Sequence, residues 1–145
     1  MSITVTIHCK SYVAHYLKSK FGNPVRIPPK TQTRKIFLAC VQKEFEPQYH
    51  KRVKLLPEKV EVKLNEKDLR NHGHSIEPGN MFFVNGVFEE KIKNEMFHQV
   101  SRYHFKQNMK LRDAMLKYQQ ENGFTEEIFS LETIRCAYYA LLDEK

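Results

Sequence analysis

Apolar side chains recur at three- and four-residue steps from about residue 86 to residue 103 (Phe88, Ile92, Met96, Val100, Tyr103), the longest regular pattern in this 145-residue chain. That spacing lays one stripe along a helix of about five turns, and a striped helix must bury its stripe against a second apolar surface. Residues 81 to 84 just before it fit either a preceding strand or the first helical turn. A different period governs residues 3 to 9, where apolar and polar residues alternate and β-branched side chains dominate, the signature of a half-buried strand. Val60, Val62 and Leu64 alternate with Glu61 and Lys63 in the same way and predict a second strand.

Between the two strands the pattern turns helical twice. From Ser11 onward Val13, Tyr16 and Leu17 share a face, Lys18 and Lys20 fall in the last turn, and Gly22 stands where a helix C′ residue belongs. Residues 23 to 29 hold three prolines and break helix, although Val25 and Ile27 alternate and suit a short strand. Thr31 or Thr33 then caps a helix with apolar residues Ile36, Phe37, Ala39, Cys40 and Val41, and Asn65 is a possible cap for one helical turn ending near Gly73. Near the end, Leu111, Ala114, Met115 and Tyr118 form a stripe that stops at Asn122 and Gly123, and Ser130 caps a final helix in which Leu131, Ile134, Tyr138, Leu141 and Leu142 align. The expected fold class is α+β: a small mixed strand and helix N-terminal half followed by a mainly helical C-terminal half. Its segments are a basic strand-helix-helix stretch at 1–56, a neutral strand plus long helix at 57–108 and a helical hairpin at 109–145, gathered into one compact domain.

Composition supports a folded core: 41% hydrophobic residues with ten Phe and seven Tyr exclude the disordered class. Three cysteines, Cys9, Cys40 and Cys136, are odd in number and lack paired spacing, so neither a disulfide framework nor a metal clip is implied and a reducing cytoplasm suits them. The N-terminus lacks the charged and apolar regions of a signal peptide, and the longest apolar run, residues 36 to 41, is six residues where a membrane span needs about 20. No membrane partner is expected.

Charge points toward function. Residues 1 to 56 hold eleven Lys and Arg against two acids, Glu44 and Glu46, whereas residues 57 to 108 balance at eight of each. Such asymmetry suits a polyanionic partner, nucleic acid first and DNA before RNA. Within it, Lys30, Thr31, Thr33, Arg34 and Lys35 gather hydroxyls and cations at a helix start, where N–H groups without helical partners attract an anion such as phosphate. Lys51, Arg52 and Lys54 follow Tyr49 and His50, a mixture able to contact phosphates and stack on bases. With Lys10, Lys18, Lys20 and Arg26 they would make one continuous face; a scattered, solvated surface accounts for the same residues.

The two helices around Asn122 and Gly123 resemble the helix-turn-helix units of small DNA-binding proteins from bacterial prophages and mobile elements, over residues 109 to 145. The resemblance implies a DNA-reading role for the helix following Ser130. Its connector, residues 124 to 129, is longer than the usual turn, and the outward Glu132, Thr133, Arg135, Cys136 and Tyr139 include one cation, flanked by Glu126, Glu127, Asp143 and Glu144. A helical hairpin that completes a core or forms a protein interface reads the same residues differently.

Seven histidines include the close pair His72 and His74, with no further ligands at zinc-like spacing, so no metal or other cofactor is expected. Glu61 and Lys63 share a strand face and look like the Glu-x-Lys half of a metal-dependent nuclease motif, but the candidate upstream acids Glu44, Glu46 and Glu58 have no supporting context. Three functions remain: a non-enzymatic nucleic-acid-binding accessory protein, a protein-interaction module or homo-oligomer without nucleic acid, and, most remote, the nuclease.

Overall fold

The computed structural model describes residues 3–28, 31–42, 56–65, 67, 75–76 and 78–144. Among them run β1 (Ile3–Cys9), α1 (Ser11–Phe21), α2 (Gln32–Cys40), β2 (Val41–Gln42), β3 (Glu58–Leu64), β4 (Ser75–Ile76), α3 (Pro78–Phe105), α4 (Leu111–Glu121) and α5 (Leu131–Asp143). The fold is α+β, with its strands near the N-terminus and most of its helix in the C-terminal half. The chain divides into two compact units, Met1–Phe88 and Glu89–Lys145, and the division falls within α3.

In the first unit the period-2 segments pair with each other. β1 and β3 are antiparallel, with Val5 opposite Val62 and Ile7 opposite Val60. These four residues are at most 2% exposed and present one apolar face, while Thr4, Thr6, Lys59 and Glu61 on the other face are exposed. Leu64, Val13 and Leu17 are buried with them, so α1 contributes the stripe its sequence carries. The helix ends as expected at Gly22, whose φ of 87° a side chain would strain and whose N–H reaches Lys18 O. Val25 then makes an isolated parallel bridge to Val62: Val25 N–H donates to Glu61 O and Lys63 N–H donates to Val25 O, both at 2.8 Å. β3 is therefore bonded on both edges, to β1 and to the segment after Pro24. Val41, expected in the second helix, instead takes extended backbone (φ −82°, ψ 137°) and pairs with Ile76 in a two-residue antiparallel ladder. The turn expected between Asn65 and Gly73 lies largely outside the described residues. Residues 81 to 84 belong to α3, and the amide oxygen of the buried Asn85 accepts the Lys10 N–H at 3.0 Å, which gives both groups a partner at the start of α1.

In the second unit the stripe of α3 is buried: Ile92, Met96 and Val100 are each 0% exposed. Phe97 stacks on Tyr138 of α5 with ring centroids 4.9 Å apart, and Ser101 Oγ lies 3.1 Å from the Tyr138 hydroxyl. α4 closes in a Schellman arrangement. Phe124 N–H donates to Gln119 O and Gly123 N–H to Gln120 O, with Gly123 at φ 68°. The apolar contact that usually accompanies this closure is supplied by Phe124 against Tyr118, at 6.0 Å between ring centroids. The buried Gln119 side chain donates to Phe129 O at 2.9 Å and to Glu126 Oε2 at 2.6 Å, tying the connector to α4. Ser130 caps α5 as expected, its hydroxyl accepting the Thr133 N–H at 3.1 Å.

Candidate anion-binding site

The Val25 bridge has a consequence for charge. By fixing Val25 O on Lys63 N–H, it sets Arg26 and Ile27 beside the last residues of β3. The start of α2 is tied to the same segment, because Arg34 Nη1 donates to Ile27 O at 3.1 Å. A concavity of about 220 Å³ results, lined by Arg26, Ile27, Arg34, Lys63, Leu64 and Asn65. Three cationic residues from three separate stretches of chain thus line one hollow together with Asn65, and no Asp or Glu lines it among the described residues. Ile27 and Leu64, 3% and 1% exposed, make its floor apolar, while Arg26 and Asn65 are exposed to solvent.

Of the basic residues singled out in the sequence for phosphate contact, Arg34 from the helix-start tract and Arg26 from the wider basic face line this hollow. Thr31 instead holds the helix start. Its hydroxyl accepts the Arg34 N–H at 3.2 Å and donates to Pro28 O at 2.9 Å, so it caps α2 and fixes the incoming loop. Thr33 lies in the first turn of α2, and Lys35 is exposed on that helix. Lys30, Lys51, Arg52 and Lys54 lie outside the described residues. Lys63 and Asn65, which also line the hollow, are not among the phosphate-contact candidates the sequence offers. Alternation in β3 does put Lys63 on the polar face, but its approach to Arg26 and Arg34 depends on a bridge between residues far apart in sequence.

The polar face of the sheet places Thr6 opposite Glu61 and His8 opposite Lys59, and Glu61 and Lys63 share that face as the period requires. Partial burial holds the His8 imidazole below its ordinary pKa, the Lys59 ammonium adds to the effect, and a hydrogen bond with the Leu56 backbone opposes it. Among the described residues no three His, Cys, Asp or Glu side chains converge in a way that could hold a metal ion.

The C-terminal hairpin carries a second concavity, of about 500 Å³, between α4 and α5, with Leu111, Met115, Leu131 and Tyr139 on its walls. Arg135, the cation on the outward face of α5, is engaged by Glu132 through two hydrogen bonds of 2.9 and 2.5 Å, which hold the Glu132 carboxyl below the usual range. Glu126 accepts the Leu131 N–H at 3.1 Å, acting as a further cap on α5. Tyr139 and Leu142 of α5 remain 43% and 42% exposed.

No helix among the described residues is long and apolar enough to cross a membrane. No protein-family model, curated protein or solved structure matches the chain.

Proposed function

We propose that this chain is a non-enzymatic nucleic-acid-binding accessory protein of the cytoplasm, DNA being the first partner to test, which contacts phosphates through the cation-lined hollow of its N-terminal unit. The observation that carries the reading is the convergence of Arg26, Arg34 and Lys63 on one concavity without a lining carboxylate among the described residues. Cationic residues gathered along one concavity favour an anion there, and a phosphate that reaches it releases its counterions. The surrounding charge favours the same partner, since the unit containing the hollow holds 15 Lys and Arg against 7 Asp and Glu. In this reading the C-terminal hairpin completes its own core rather than reading bases. Its outward cation is already paired with Glu132, and Glu126 and Asp143 would repel a phosphate backbone.

Fluorescence anisotropy with generic duplex and single-stranded oligonucleotides, at low and at physiological salt, tests the reading. Affinity should fall steeply with salt and fall again when Arg26, Arg34 and Lys63 are replaced by Ala. Absence of binding at low salt would remove it. Function would then move to the second reading, a protein-interaction module or homo-oligomer, which the exposed Tyr139 and Leu142 beside the α4–α5 concavity favour.

A further inference from the structure

We propose that the hollow formed by Arg26, Arg34, Lys63 and Asn65 takes the terminal phosphate monoester of a nucleic-acid end, in preference to an internal phosphodiester. The inference rests on the nucleic-acid reading above and deepens it by naming the chemical group bound. Its first support is charge density. A diester carries a single negative charge, and a polymer of diesters is met most simply by cations spread along its path. A monoester near neutral pH carries about −1.5 to −2 and offers three acceptor oxygens at one phosphorus. Two arginines, a lysine and an asparagine lining a single concavity match the second pattern.

Size is the second support. About 220 Å³ is below the roughly 300 Å³ at which pockets begin to enclose drug-sized ligands, so the space suits a phosphate with the first atoms of its sugar. Preorganisation is the third: the Arg34 guanidinium is fixed by Ile27 O, and Ile27 is itself 3% exposed, so less side-chain freedom is lost when the anion arrives.

The test uses the full chain and one oligonucleotide sequence in three forms, with a 5′-phosphate, with a 3′-phosphate, or with hydroxyls at both ends, each single-stranded and duplex, measured by anisotropy at fixed salt. A phosphorylated end should tighten binding about tenfold, or about 1.4 kcal/mol, and the arm that gains identifies the end recognised. The gain should vanish in the Arg26→Ala/Lys63→Ala variant, which should bind all three oligonucleotides equally and more weakly than the parent binds the hydroxyl-ended form. Equal affinity for phosphorylated and hydroxyl-ended forms in the wild-type protein overturns the inference while leaving nucleic-acid binding intact. A gain that survives in the variant also overturns it, because the extra charge alone then explains it. No binding by any form at low salt overturns both readings. The wild-type comparison requires no substitution, so equal affinities overturn the inference even if the double variant fails to fold, and the single Lys63→Ala variant, in which the gain should shrink, then serves as the second arm.

Discussion

Burial separates the three cysteines into two kinds. Cys9, 0% exposed on β1, has its thiol pushed up to about 12, mainly by burial and secondarily by the Glu58 carboxylate, against a smaller opposing effect of Lys18. Burial likewise raises Cys40, 7% exposed, whereas Cys136 is exposed on α5. Because the thiolate is the reactive species, iodoacetamide at pH 8 should modify one thiol quickly in the native protein and the other two only after denaturation. Peptide mass mapping that found Cys9 or Cys40 modified at the rate of Cys136 would refute this. His8 gives a residue-level prediction about pH. Its folded-state pKa is depressed, so between that value and the ordinary 6.5 the unfolded chain binds more protons than the folded one, and stability rises with pH there. The contribution is complete above about 6.5 and is lost as pH falls through the folded-state value. Tm measured from pH 7.5 down to 5 should therefore decline less steeply for His8→Gln than for the parent, and identical slopes would show that His8 makes no such contribution.

At the scale of elements, two glycines should respond in opposite senses to one methyl group. Gly86 lies inside α3 with nothing within 4 Å of where a Cβ would stand, so Gly86→Ala should stabilise by up to about 1 kcal/mol through helix propensity. Gly123 closes α4 at φ 68°, where an L side chain is strained, and Gly123→Ala should cost about 1 kcal/mol. Urea titrations of the two variants decide the matter, and shifts of the same sign would contradict the backbone argument. The elements whose signals are local could be read in the sequence for the same reason: α3, α4 and α5 have stripes at helical spacing, β1 and β3 alternate, and Gly22, Gly123 and Ser130 are end signals carried by single residues. What could not be read is pairing. Nothing local tells Val5 to face Val62, or Val25 to bridge to that same residue, and Val41 leaves α2 to pair with Ile76 more than thirty residues away. Residues 81 to 84 are ambiguous in sequence because four consecutive apolar residues carry no period. The hollow inherits this limit: Arg34 stands out in a basic tract, whereas Lys63 and Asn65 join it through the bridge.

At the scale of the whole molecule, charge is divided along the same line as structure. Met1–Phe88 carries 15 basic and 7 acidic residues and Glu89–Lys145 carries 9 and 10, so a net charge of +7 consists of +8 in one unit and −1 in the other. If net charge alone attracted a polyanion, removing two positive charges anywhere in the chain would weaken binding equally. If the placement of charge matters, the losses must differ, and equal-charge substitutions make the comparison clean. Arg26→Ala/Lys63→Ala removes two cations from the hollow, and Lys106→Ala/Lys110→Ala removes two exposed cations from the second unit. Each cation that contacts a phosphate adds about 1 to the dependence of log affinity on log salt. The first variant should therefore bind nucleic acid more weakly, with a slope shallower by about 1 where both cations meet one phosphate and about 2 where they meet two, and the second should keep the slope of the parent. Equal slopes in the two variants would mean that the basic unit acts as diffuse charge, and the hollow would lose its claim to be where phosphate is held.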